Sequence, residues 1–92
     1  MERMTSLFFV YILRCNDNSL YTGYTDSLEK RLKKHNEGKA SKYTRSRLPV
    51  NMVYSEEHPD KSSAMKREIS IKSLSRQDKI KLIQEASDEP VL

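Results

Sequence analysis

Two strand-forming runs, Leu7–Arg14 and Leu20–Thr25, lie so close together that the chain between them can only turn back. That spacing constrains the fold more than any other feature. Both runs are rich in aromatic, β-branched and other apolar residues, which suit a pleated, half-buried surface. Asn16, Asp17 and Asn18 between them tolerate left-handed backbone and form Asx turns. The pair therefore reads as an antiparallel hairpin. Each arm carries a tyrosine, Tyr11 and Tyr21, ten residues apart; the turn's register decides whether they lie directly opposite. Gly23 sits inside the second arm, where glycine weakens a strand unless a bulge or a close backbone approach requires it.

A basic amphipathic helix follows. Asp26 is its expected N-cap, with Glu29 as capping-box partner. The helix is predicted over 27–37 and stops at Gly38, a natural residue just past a helix end. At about 100° per residue, Leu28, Leu32 and His35 share one face, with Arg31 at its edge. Arg31 and His35 are i,i+4 neighbours. His35 reads either as a half-buried residue closing a core edge or as a functional group. Residues 39–49 form a basic loop with room for a short helical turn. Val50–Glu56 reads as a third strand with Val50, Met52 and Tyr54 on one face. A helix from about 60–63 to Ser73 places Ala64, Met65, Ile69 and Ile71 on a broad apolar arc, with Glu68 near its middle. A carboxylate there is costly to bury unless it is paired or holds a cation. Ser75 caps a last helix with Asp78 three residues on, and Ile80, Leu82 and Ile83 form its apolar side. The order ββαβαα defines an α+β domain with a small, three-stranded, mostly antiparallel sheet flanked by helices. It covers residues 1–83, and residues 84–92 form an acidic flexible tail.

Composition narrows the class. The chain has 92 residues, 36% hydrophobic and 33% charged, which fits one small globular domain with a wet surface. Its apolar runs are far shorter than the roughly 20 residues that cross a bilayer, and the N-terminus lacks a signal-peptide pattern. A lone Cys15 forms no internal disulfide, which points to a reducing, cytoplasmic setting. One Cys and two distant His, His35 and His58, build no metal cluster. The net charge of +4 is unevenly spread: residues 84–92 carry three acidic residues and no basic one. Between Leu28 and Arg47, eight basic residues (Lys30, Arg31, Lys33, Lys34, Lys39, Lys42, Arg45 and Arg47) face only Glu29 and Glu37. His35, Asn36, Ser41, Tyr43, Thr44 and Ser46 lie among them, all able to hydrogen-bond phosphate. The stretch reads as a nucleic-acid backbone contact or, more simply, as a solvated helix face and basic loop.

Phosphodiester cleavage needs a water nucleophile, a base for its proton, cationic stabilisation of the developing charge and often one Mg²⁺. Tyr11, Tyr21, Arg31, His35 and Glu68 make up that inventory. Arg31 can fork onto a phosphate in a geometry Lys cannot copy, and Glu68 can hold a metal. A free tyrosine, with a pKa of about 10, is a poor base near neutral pH and needs a nearby cation.

In these residues the chain resembles the GIY-YIG nuclease superfamily. Phe9-Val10-Tyr11 stands where the first triad ends in Tyr, and Tyr21-Thr22-Gly23 where the second begins with Tyr and ends with Gly. Arg31, His35 and Glu68 follow in the family's order. The resemblance spans about Leu7 to Ile83 and is nearest to the small, stand-alone, single-domain bacterial members; Tyr43-Thr44-Arg45 and Tyr54-Ser55-Glu56-Glu57 of this chain resemble theirs. Phe9 replaces the first glycine, Tyr24 stands where excinuclease relatives carry a lysine, and no asparagine follows Asn51. The resemblance implies that Tyr11 accepts a proton or orients water, and that Tyr21 binds the scissile phosphate or supports Tyr11. It implies that Arg31 stabilises the transition state, that His35 assists, and that Glu68 binds one Mg²⁺ or Mn²⁺. The expected activity is a DNA endonuclease of low intrinsic specificity, acting in repair or recombination, with an unidentified targeting protein as a possible partner. The alternatives are a nucleic-acid-binding module with little or no catalysis, and an adaptor that docks an acidic protein. Lys30, Lys33, Lys34, Lys39, Lys42, Tyr43, Arg45 and Arg47 are the expected nucleic-acid contacts, and Gly23 a structural residue.

Overall fold

The structure, a computed structural model, describes residues 7–86. Its elements are β1 (Phe8–Arg14), β2 (Leu20–Thr25), α1 (Leu28–Asn36), α2 (Lys42–Arg45), β3 (Asn51–His58), α3 (Lys61–Lys72) and α4 (Arg76–Ala86). The expected α+β order holds, with α2 as the short turn within the basic loop. The sheet order is β2-β1-β3, antiparallel throughout. Gln84–Ala86, expected in the tail, complete the last turn of α4; the rest of the tail lies outside the described residues.

Alternation along β1 organises two cores. Successive side chains on a strand point to opposite faces. Val10 and Ile12 pack with Ala64 and Ile71 of α3 on one face, joined by Leu82 and Ile83 of α4. Tyr11 and Leu13 pack with Val50 on the other, under Leu28 and Leu32 of α1. Because helices cover both faces, β1 is buried from Val10 to Leu13.

Three local expectations shift. Ser27, not Asp26, caps α1, its hydroxyl accepting the Lys30 N–H at 3.4 Å. Thr25 Oγ1 accepts the Ser27 N–H at 3.1 Å and holds that residue in the capping position, which leaves Asp26 exposed. Along β3, Ile12 pairs with Tyr54 but Leu13 with Met52, so Val53 is an extra residue. That bulge changes the strand's phase. Val50 and Met52 face α1, while Val53 and Tyr54 pack on the α3 side. On α3 the buried stripe is narrower than the sequence arc: Ala64 and Ile71 are buried, but Met65 is 39% and Ile69 64% exposed. The small Ala64 lets the helix approach the sheet closely, and the sheet then covers only one row of its side chains.

Gly23 has a specific structural reason. It pairs directly with Tyr11, and a Cβ at position 23 would lie 2.5 Å from the Tyr11 hydroxyl oxygen and 2.7 Å from its Cζ. The phenol lies across the β2 backbone and is buried, so it cannot swing aside. Gly23→Ala is therefore expected to destabilise the protein by about 1–3 kcal/mol, the usual range for overpacking. Urea denaturation should show a smaller penalty in a Tyr11→Leu background, where the ring is gone.

Candidate functional site

The hairpin register settles how the two tyrosines meet. Tyr11 faces Gly23 and Leu13 faces Tyr21, so the phenols are diagonal neighbours on one face rather than directly opposite. His35 of α1 stands between them. Its ring meets Tyr11 edge-on at 5.8 Å between centroids and Tyr21 at 5.3 Å. The Tyr11 hydroxyl lies 2.9 Å from His35 Nε2, and His35 Nδ1 lies 2.9 Å from Thr44 Oγ1. Tyr11 and His35 are each 1% exposed. Both readings of His35 thus apply: it is a core residue, and it is the hydrogen-bond partner of the central phenol.

Burial sets the protonation of this pair. It pushes the Tyr11 phenol well above its usual range, with Tyr21 adding to the rise, Arg31 opposing it and Glu68 reinforcing it. Burial, helped by the Arg31 guanidinium, lowers His35 to about 4. At neutral pH the phenol keeps its proton and the imidazole is neutral.

In front of Tyr11 opens a cleft of about 420 Å³. Tyr11, Tyr21, Gly23, Arg31 and Glu68 line it, together with Tyr24, Asp26 and Lys61. The tyrosines belong to the α1 face, whereas Glu68 and Lys61 come from α3 on the opposite face. The cleft joins them around the open edge of β2, the outer strand of the sheet. Four of the five groups expected to act together therefore line one cleft, and His35 sits behind Tyr11. The Glu68 side chain is 16% exposed, and its Oε2 lies 3.5 Å from Lys72 Nζ. Lys61 escaped the sequence reading, although it precedes Glu68 by seven residues, two helical turns on the same side.

The basic residues divide. Lys30, Lys33 and Lys34 stand on the exposed side of α1, and Lys39, Lys42 and Arg45 surround a shallow depression beside α2. Arg47 is already engaged: its guanidinium donates to Asp17 at 3.0 Å and to the Tyr43 carbonyl at 2.8 Å, and it lies 3.8 Å over the Tyr43 ring. Tyr43 in turn stacks on Tyr21 at 5.9 Å. Four of the groups read as able to bond phosphate have structural partners instead: His35 and Thr44 are buried against each other, Ser41 caps α2 and bonds Thr44, and Asn36 bonds both the N–H and the carbonyl of Val50.

A second polar cluster holds α3 to β3. The Glu56 carboxylate accepts from Tyr54, from His58 Nε2 at 2.6 Å and from Arg67 Nε at 2.9 Å. Burial alone would raise the pKa of Glu56, but these hydrogen bonds outweigh it and the carboxyl ionises more readily than usual.

The GIY-YIG catalytic-domain family model matches residues 7–81. This chain belongs to the GIY-YIG family. A UPF0213 protein of Staphylococcus haemolyticus is 56% identical over 77 residues, covering 84% of this chain and 94% of that protein. A UPF0213 protein of Streptococcus sanguinis is 51% identical over 82 residues, covering 89% and 94%. Among solved structures, the solution NMR structure of a UPF0213 protein from Bacillus halodurans is similar, with a TM-score of 0.59 and 44% identity over 89% of this chain and 87% of that one. An E. faecalis protein solved by the same method gives 0.58 and 34% over the full length of both. No helix among the described residues is long and apolar enough to cross a membrane.

Within this family frame the donor set fits a lightly held divalent ion. Among the described residues no three His, Cys, Asp or Glu side chains gather in one place. Mg²⁺ keeps several waters and typically takes one or two carboxylates plus substrate phosphates. Glu68, facing the cleft, supplies a carboxylate of that kind.

The His35 shift has a testable consequence for stability. Its folded pKa of about 4 lies below the usual 6.5, so the unfolded chain takes up this proton first. The stabilisation is complete above pH 6.5 and is lost as the pH falls toward 4. Urea midpoints at pH 7 and 4.5 should fall further for the wild type than for His35→Gln, because only the wild type carries this titration.

Proposed function

We propose that the protein is a divalent-metal-dependent endonuclease that hydrolyses DNA phosphodiester bonds with low intrinsic specificity, serving repair or recombination. The observation that supports it best is the single cleft shared by Tyr11, Tyr21, Arg31 and Glu68, with His35 bonded behind Tyr11. In this reading Arg31 forks onto the scissile phosphate and stabilises the charge that develops on its oxygens. Tyr21 donates its hydroxyl hydrogen bond to the same phosphate. Tyr11 takes the proton of the attacking water while its own proton passes to His35 Nε2. A phenol with a raised pKa can then act without first becoming a phenolate. Mg²⁺ or Mn²⁺ on Glu68, when bound, supplies Lewis-acid charge to the phosphate. Lys61 offers a second cation from α3.

Residues 1–83 form the catalytic domain in this proposal, extended by the last turn of α4. Lys30, Lys33, Lys34, Lys39, Lys42 and Arg45 track the flanking backbone. Phosphate contacts fix position but carry no sequence information, so a separate targeting protein would choose the site. Binding should be strongly salt-dependent. Replacing Lys33 or Lys34 by Ala is expected to reduce the slope of log affinity against log salt by about 1 for each phosphate no longer neutralised, measured by fluorescence anisotropy on a DNA duplex.

Purified protein with Mg²⁺ or Mn²⁺ should cut plasmid or branched DNA. Glu68→Ala, Arg31→Ala and Tyr11→Phe should each slow cleavage by about 10²-fold or more, the scale on which acid–base and oxyanion groups act. Wild-type cleavage no faster than that of Glu68→Ala would sink the proposal. Salt-dependent binding with no metal-dependent cleavage would select a nucleic-acid-binding module instead.

A further inference from the structure

The Tyr11–His35 pair does not end at the imidazole. His35 Nδ1 lies 2.9 Å from Thr44 Oγ1, and Thr44 Oγ1 lies 3.0 Å from Ser41 Oγ and 3.5 Å from the Ser41 carbonyl. Thr44 is fully buried. Ser41 caps α2, accepting the Thr44 N–H at 3.1 Å. Four residues from β1, α1 and the α2 turn therefore form one chain of hydrogen bonds leading inward from the cleft.

A neutral imidazole donates from one nitrogen and accepts at the other, so the chain has two possible directions. In one, Thr44 donates to Nδ1, Nε2–H donates to Tyr11, and the Tyr11 hydrogen must find another acceptor. Among the described residues its hydroxyl has no side-chain partner except Nε2, so that hydrogen would be left to the solvent of the cleft and the protein would supply it no acceptor. In the other direction, Tyr11 O–H donates to Nε2 and Nδ1–H donates to Thr44 Oγ1. The Thr44 hydrogen then goes to Ser41, which offers both a hydroxyl and a carbonyl oxygen. Every buried hydrogen in the chain is used.

We infer that Thr44 is a positioning residue that fixes His35 as the Nδ1–H tautomer, so that Tyr11 turns its oxygen lone pairs, not its hydrogen, toward the cleft. The inference rests on the cleavage chemistry proposed above only for its consequence. With lone pairs outward, Tyr11 accepts a proton from water; with its hydrogen outward, it would only donate to a phosphate. Thr44 thus decides between a base and a binding group at position 11 without touching the substrate.

The test is the ¹⁵N chemical shifts of the His35 ring in labelled full-length protein, assigned against a His58→Gln variant. The wild type should show a protonated Nδ1 and an unprotonated Nε2. Thr44→Ser keeps the acceptor and should keep this pattern. Thr44→Val removes it at nearly equal volume and should bring in the Nε2–H form, and Thr44→Ala should do the same if the valine variant folds poorly. In cleavage assays Thr44→Val should lower kcat roughly tenfold with KM little changed, the loss expected when one buried hydrogen bond no longer holds the imidazole. A wild-type ring protonated at Nε2 overturns the inference. So does a fully retained Nδ1–H pattern in both Thr44→Val and Thr44→Ala. If the expected tautomers appear but no variant, nor the wild type, cleaves DNA, the inference stands and the endonuclease proposal falls.

Discussion

The contact between the Tyr11 hydroxyl and His35 Nε2 places a demand on every nearby element. The phenol must lie across β2, which only glycine at position 23 permits. The imidazole must arrive at a fixed height and angle, so α1 must be held at both ends. Ser27 caps its start. At its finish Gly38, with φ +77°, turns the chain so that the Gly38 N–H meets the His35 carbonyl and the Lys39 N–H the Lys34 carbonyl. This is a Schellman closure, in which glycine adopts left-handed backbone at little cost. Asn36 then ties the end of the helix to both polar groups of Val50, at the edge of β3. A buried polar pair tolerates little misplacement, because a group deprived of its partner keeps the full desolvation cost. The local structure around α1 and α2 reads as the means of holding that pair.

The second demand is that groups from opposite faces of one sheet meet in one place. A sheet normally keeps its faces apart. Here β2 is the outer strand and Tyr11 crosses it, so the phenol reaches the rim where Glu68 of α3 also arrives. The position of Glu68 then depends on how α3 is seated. Ala64 and Ile71 fix the helix's depth, and the Glu56–Arg67 bond at 2.9 Å resists sliding along β3. Glu68 itself is held only lightly. Its i,i+4 partner Lys72 is 53% exposed, and such pairs contribute no more than a few tenths of a kcal/mol. A carboxylate paired so weakly can exchange its partner for a stronger cation with little loss, whereas one locked like Glu56 could not.

Much of this was legible in the sequence because it follows from short-range rules. The aromatic and apolar composition of two short arms around the Asn16–Asn18 turn marked the hairpin, and the wheel of α1 placed Leu28, Leu32 and His35 inward together. The misses share a cause: each depends on contact between distant segments. Whether Asp26 or Ser27 caps α1 turns on Thr25 reaching forward to bond Ser27. The phase of β3 changes because β1 pairs around Val53, which no local pattern reveals. Thr44 lay in a basic, polar stretch and read as a phosphate donor. Its burial depends on α2 folding back beneath His35, nine residues earlier in the chain. Gly23 is the intermediate case: the sequence marked it as unusual for a strand, but only the register names Tyr11 as the side chain it accommodates.

The same logic separates the cations that hold the fold from those free to meet a substrate. Arg47 bonds Asp17 in the hairpin turn and lies over Tyr43, which stacks on Tyr21. Removing its charge would loosen the wall behind Tyr21 as well as lower the local potential. Binding and positioning would therefore change together and could not be told apart. Lys33 and Lys34 have no such duty; they stand exposed on α1, on the side away from the Leu28–Leu32 face. Their electrostatic effect falls off with the Debye length, about 8 Å at physiological ionic strength, so it can gather a polyanion along the helix without selecting which bond lies in the cleft. In the proposed reading, selection within the cleft falls instead to Arg31, a cleft-lining residue whose planar fork discriminates by geometry. That division would suit the proposed endonuclease, which would recognise a charged backbone broadly and be exacting only about the placement of one phosphate.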